Sequence, residues 1–294
     1  MSRQHHHHHS SEHDTGSMKF WRSFLAFVLF LTLTATSLCA CARITYISPQ
    51  AMVKLFCNKD YVTALHADIK DYAEDLCKVC SVPADGTEAI TYKAVYDLEE
   101  TYIAGLMGTT EEYTETTYLD YIADLTETIA EQTVAANAAQ GIRDDADVSD
   151  GAQQFSESLS KYITKRVEFP LADQLKTVVN LGSTGTMIGA IVFAVVSLLL
   201  GSVVVSIGHK RYRAMRELAY AATAAALMDF ALIGGVKLVG LFKSLVLYPQ
   251  YLADAVMAHI DRCLLTTGVA GAILFAAALC VMILVWLIKR GNNA

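Results

Sequence analysis

"TMIGAIVFAVVSLLLGSVVVSIGHKRYRAMRELAYAATAAALMDFALIGG", residues 186–235, decides the fold. Two long apolar runs, 187–207 and 218–241, flank the short basic segment "HKRYRAMRE" at 209–217. As helices the runs extend roughly 30–36 Å, which matches a bilayer hydrocarbon core of about 30 Å. Backbone polar groups find no water in lipid, so such runs are predicted to satisfy themselves as helices. Two more runs of this kind occur at 24–42 and 268–288. The predicted fold class is therefore all-α, a four-span helical membrane protein.

Charge gives the predicted orientation. Residues 45–180 hold 24 of the 30 acidic residues and 10 of the 23 Lys and Arg. Lys210, Arg211, Arg213 and Arg216 crowd the short segment 209–217, which the positive-inside rule places in the cytoplasm. Lys19 and Arg22 before the first run, and Lys289 and Arg290 after the last, agree with it. Trp21 and Trp286 stand at the same boundary, where interfacial aromatic residues belong. The expected localisation is the plasma membrane, with residues 45–180 extracytoplasmic and the C-terminus cytoplasmic.

The expected organisation follows in chain order. Residues 1–17 read as a polyhistidine expression tag. Residues 18–44 form the first span, 45–180 an acidic helical-bundle domain between spans one and two, and 181–208 the second span. A basic loop at 209–217, the third span at 218–241, an outer amphipathic connector at 242–266 and the last span with a short tail at 267–294 complete the chain. The first run also reads as a signal peptide, because Ala40-Cys41-Ala42 has the A-x-A form of a cleavage site. "LCAC" loosely resembles a bacterial lipobox ending at Cys41.

Within 45–180 the apolar residues recur at helical spacing. Met52, Leu55, Phe56, Val62, Leu65, Ile69, Tyr72, Leu76 and Val79 predict one long amphipathic helix, capped by Ser48 with Pro49 in its first turn. Ile90, Ala94, Val95, Leu98 and Tyr102 predict a second helix ending near Gly108. Tyr118, Ile122, Leu125 and Ile129 predict a third, closed by Gly141; Phe155, Leu159, Tyr162, Ile163 and Val167 predict a fourth. Four amphipathic helices are expected to pack as a bundle.

Chemical motifs are sparse. "RDDADVSDG" (143–151) offers oxygen ligands at Asp145, Asp147, Ser149 and Asp150, but glycine and glutamate fall one residue late for an EF-hand. Cys77 and Cys80 have C-x-x-C spacing without a second pair, and their pairing with Cys57 is left open. No P-loop, H-E-x-x-H, nucleophile elbow or dinucleotide fingerprint is present, so neither an enzyme nor a cofactor or metal site is expected. Net acidity speaks against nucleic acid as a partner.

Asp229 is the unusual residue of the spans. It is the twelfth residue of its run, roughly 16 Å from the inner boundary and so near mid-membrane. Lys237 lies eight residues on, too far for a direct pair and close enough to the outer surface to snorkel. At matching depth Thr34, Thr36, Ser197 and Cys280 offer hydrogen-bonding groups. Asp229 then either ties helices together or handles an ion or proton. In the outer connector Asp254, His259, Asp261 and Arg262 form a second polar group, with His259 a candidate proton sensor or cation ligand.

Two function classes follow from these residues. The first is a non-enzymatic membrane protein whose acidic domain binds a basic protein, a cation or another ligand, with the bundle as anchor or relay. The second is a small channel or transporter built on Asp229. Small residues, including Gly185 and Gly189 at G-x-x-x-G spacing, Ala221–Ala226, Gly234, Gly235, Ala270, Gly271 and Ala276–Ala278, predict close helix packing and favour a homo-oligomer.

Overall fold

The computed structural model describes residues 16–80, 83–109, 115–139, 146–168, 172–207, 211–240 and 247–291. Among these the regular structure is entirely helical. The helices are α1 (Gly16–Cys41), α2 (Pro49–Phe56), α3 (Lys59–Cys80), α4 (Tyr92–Leu106), α5 (Glu115–Ala139), α6 (Ala146–Val167), α7 (Ala172–Ile207), α8 (Arg211–Val239) and α9 (Gln250–Gly291). Four helical stretches are long and apolar enough to cross a membrane, within Phe20–Tyr46, Asp150–Ile207, Tyr212–Val239 and Gln250–Arg290. Such surfaces imply contact with a lipid bilayer.

The chain forms two compact units. One comprises Ala40–Met187 and Val236–Thr266 and holds the acidic helical domain. Its core is built from Val62, Leu65 and Ile69 of α3, Val95, Leu98 and Ile103 of α4, Ile122 and Ile129 of α5, and Phe155, Leu159 and Ile163 of α6. Ser48 caps α2 by accepting a hydrogen bond from the Ala51 amide at 3.0 Å, with Pro49 behind it, as the sequence predicts. Gly108 follows the end of α4 with φ +64°, a conformation that costs glycine nothing.

The single long helix predicted from Ser48 onward is two helices. The chain breaks at Cys57 and Asn58, and α3 restarts with the Val62 amide donating to the Asn58 carbonyl at 2.9 Å. A polar residue able to bond the backbone locally makes that restart possible. The buried stripe also departs from its predicted end. It runs Leu65, Ile69, Ala73, Cys77 in steps of four, leaving Val79 78% exposed. A run of four-residue steps drifts around a helix of 3.6 residues per turn, so Cys77 takes the inward place. No disulfide joins any of the seven cysteines, all of which lie among the described residues. Burial, with smaller contributions from Cys80 and Glu74, pushes the Cys77 thiol up, which disfavours the thiolate that redox chemistry needs.

One core residue of α4 was not anticipated. Glu99 is 1% exposed, and neither carboxyl oxygen has a hydrogen-bond partner among the described residues. It lies on the same stripe as Val95 and Tyr102, four residues after one and three before the other. Burial pushes its carboxyl well above the usual carboxylate range.

Near the start of α9 a polar cluster fastens that helix to the domain. Arg166 Nε lies 3.0 Å from Asp68 Oδ2, and Arg166 Nη2 donates to the Tyr162 hydroxyl at 2.8 Å. The Tyr162 and Tyr251 hydroxyls both donate to Asp68 Oδ2, at 3.1 and 3.4 Å. Tyr72 stacks on Tyr162 with ring centroids 3.7 Å apart, and Tyr61 meets Tyr251 edge-on at 5.4 Å.

The second unit comprises Met1–Cys39, Ile188–Gly235 and Thr267–Ala294. Close packing here rests on small residues in part. A Cβ on Gly189 would sit 3.2 Å from Cys39 Sγ, and one on Gly268 would sit 3.3 Å from Ile233 Cδ1. Ala221, Ala225 and Ala226 are buried on α8. Gly234 and Gly235, predicted as packing residues, face open space instead, as does Gly185 of the other unit. Arg22 and Glu217 form an ion pair between α1 and α8 at 2.6 Å.

Two segment expectations change. The outer connector predicted at 242–266 is not a separate short helix, because α9 runs unbroken from Gln250 through the apolar run to Gly291. The basic loop is helical from Arg211 onward; His209 and Lys210, like 241–246, Gly141 and Asp145, lie outside the described residues.

Candidate functional site

The candidate site is built on α8 where a buried alanine face carries a carboxyl. Asp229 falls on the side of Ala225 and Ala226 and is 0% exposed. Ser37 of α1 donates its hydroxyl to Asp229 Oδ2 at 2.7 Å. Asp229 Oδ1 is buried without a hydrogen-bond partner among the described residues. On the other side α9 closes directly over the residue. A Cβ added to Gly271 would meet Asp229 Cβ at 3.1 Å, the Ala226 carbonyl oxygen at 3.4 Å and Phe230 Cε1 at 3.4 Å. Three helices thus enclose one carboxyl, and a glycine makes the enclosure possible.

The partner differs from the predicted set. Thr34 donates to the Phe30 carbonyl at 3.0 Å and Thr36 to the Thr32 carbonyl at 2.7 Å, each one turn back on its own helix. Ser197 donates to Thr32 Oγ1 at 2.9 Å, an interhelical bond between α7 and α1. Cys280 is exposed. Ser37, one turn beyond Thr34, is the hydroxyl that reaches Asp229, and a spacing of three from Thr34 was the available signal.

Beside these contacts lies a cavity of about 830 Å³, lined by α1, α7, α8 and α9, the four helices long and apolar enough to cross a membrane. Leu29 and Leu33 of α1, Leu198 of α7, Leu218 of α8 and Val281 of α9 set its character. Its hydroxyls already have partners: Ser202 donates to the Leu198 carbonyl and Ser206 to the Ser202 carbonyl, both at 2.8 Å, and Ser197 to Thr32 Oγ1. Such a lining offers few partners to water, which needs two to four polar groups to settle.

The predicted outer polar group does not assemble as one site. Lys237 Nζ lies 3.9 Å from Asp261 Oδ1, an exposed pair of modest worth. Asp254 accepts from Gln250 at 3.2 Å, one turn away on the same helix. His259 is hydrogen-bonded to the Tyr46 backbone, and its Nε2 is buried without a partner. Arg262 is exposed. Among the described residues no group of three or more His, Cys, Asp or Glu side chains is arranged to hold a metal ion.

On the surface of the acidic domain, α5 carries a stripe of carboxylates. Asp120, Asp124, Glu127 and Glu131 are all exposed, and their spacing of four, three and four places them along one face. No Lys or Arg occurs anywhere in α5. The stripe extends about 16 Å along the helix.

Comparisons with known protein families, curated proteins and solved structures return no match.

Proposed function

We propose that this chain is a non-enzymatic, multi-pass membrane protein whose acidic helical domain, displayed outside the cytoplasm, captures a basic protein segment, with the membrane bundle as its anchor. The observation that carries this reading is the α5 stripe, four exposed carboxylates in a row with no basic residue on the same helix. Uncompensated like charge of this kind raises the local concentration of cations and steers basic partners to the surface. The rigid core beneath it, with Ile122 and Ile129 buried, holds the stripe in one geometry.

The reading is tested with the full chain in nanodiscs and a ten-residue oligolysine as probe. Binding is expected to weaken as salt rises, because exposed charges are screened beyond about 10 Å at 0.1 M ionic strength. Neutralising the stripe with Asp120→Asn, Asp124→Asn, Glu127→Gln and Glu131→Gln should abolish that salt-dependent component. Equal binding by the neutralised chain would remove the basis for the proposal.

The channel or transporter reading has one supporting observation, the unpartnered Oδ1 of Asp229. Against it stand the closed contact with Gly271 and the hydrocarbon character of the large cavity, since conducting paths are lined by polar groups. Ion or proton flux into liposomes that is present in the wild type and lost in Asp229→Asn would reverse the preference.

A further inference from the structure

The buried carboxyl of α4 has no role in partner capture, and its surroundings point to another. Glu99 occupies a core position where an apolar side chain would be ordinary, yet both oxygens lack partners. The elements packed on α4 are α2, α3 and α5. Among the described residues, Cys57 at the end of α2 and Tyr61 of α3 are titratable groups close enough to interact electrostatically with Glu99. From α5 Tyr121 reaches α4, where its hydroxyl donates to the Ala94 carbonyl at 3.4 Å. Glu100 on the same helix is exposed and Tyr102 is buried. No basic side chain offsets Glu99 among the described residues, and burial alone acts on its carboxyl.

The same neighbours connect Glu99 to α9. Phe56 packs on Tyr61 with centroids 5.8 Å apart, and Tyr61 packs on Tyr251 in the first turn of α9. Burial pushes the Cys57 thiol up to about 12, with the Glu99 charge adding to it. The Tyr61 hydroxyl is pushed up for the same two reasons in the same order. A negative charge at Glu99 therefore finds neither a hydrogen-bond donor nor a cation among the described residues.

We propose that Glu99 is a proton-sensitive latch: while it carries its proton the α2–α3–α4 junction stays closed on Tyr61, and loss of the proton loosens the Tyr61–Tyr251 contact that holds the first turn of α9. The proposal stands on the packing of this domain and is independent of what the α5 stripe binds. The direction follows from linkage. The folded state holds the proton more tightly than the open state, so closure is strongest below the ordinary carboxylate pKa. It is lost progressively as pH rises from there to the folded-state value.

Hydrogen exchange of the full chain in nanodiscs, corrected for intrinsic exchange rates, tests this from about pH 5 to about pH 8, above the ordinary glutamate pKa of about 4.3. The opening constant of α4 and of residues 250–256 should rise together, by up to about tenfold per pH unit for one linked proton. Glu99→Gln and Glu99→Met should both flatten the profile and lower opening at neutral pH; if one fails to fold, the other decides. A flat wild-type profile overturns the proposal, as does a rise that survives in either variant. A rise confined to α4, with 250–256 unchanged, overturns the coupling to α9.

Discussion

Asp229 shows how one buried polar residue is accommodated between long apolar helices. Ser37 satisfies one oxygen, and Gly271 brings α9 close enough to seal the site. Interhelical hydrogen bonds in membranes average about 0.6 kcal/mol and reach about 1.7 kcal/mol. Ser37→Ala should therefore cost about 0.6 kcal/mol in an unfolding titration in mixed micelles, with Asp229 then unbonded at both oxygens. Asp229→Asn should fold normally, since its amide oxygen still accepts from Ser37. A much larger loss in Asp229→Asn than in Ser37→Ala would show that the carboxyl makes an interaction beyond this bond.

At the scale of elements the helices differ in how much room their small residues hold. Gly271 is in tight contact with Asp229, whereas Gly234 and Gly235 meet nothing within 4 Å. Gly271→Leu should force α8 and α9 apart and destabilise by roughly 1–3 kcal/mol, as overpacking does. Gly234→Ala and Gly235→Ala should be neutral or raise the melting temperature slightly, because alanine favours a helix over glycine by about 1 kcal/mol. Thermal unfolding of the three variants in one detergent separates these outcomes. In the acidic domain Phe155 of α6 is 0% exposed at the centre of the core, so Phe155→Ala should cost about 3–5 kcal/mol.

For the whole molecule the central prediction concerns sidedness. The acidic domain carries the excess of carboxylates, while Arg211, Arg213 and Arg216 begin α8 at the other charge extreme. Asp75 is exposed on α3, so Asp75→Cys, read against the unsubstituted chain, gives a reporter without disturbing the core. An impermeant thiol reagent should modify it on intact cells, with a lysed sample as control. Modification only after lysis would invert the proposed topology and place the acidic stripe in the cytoplasm.

Hydrophobic run length by itself determined the four helical segments able to cross a membrane among the described residues, because lipid leaves the backbone no alternative to internal hydrogen bonds. Local chemistry also set Ser48 and Gly108 as helix boundaries, since a cap and a left-handed glycine act within a few residues. The register of the α3 stripe, the choice of Ser37 over Thr34 and the burial of Glu99 were decided only in the tertiary structure. Each depends on which face of one helix a distant helix covers. Spacing within a segment narrows that choice to a turn, and packing between segments makes it.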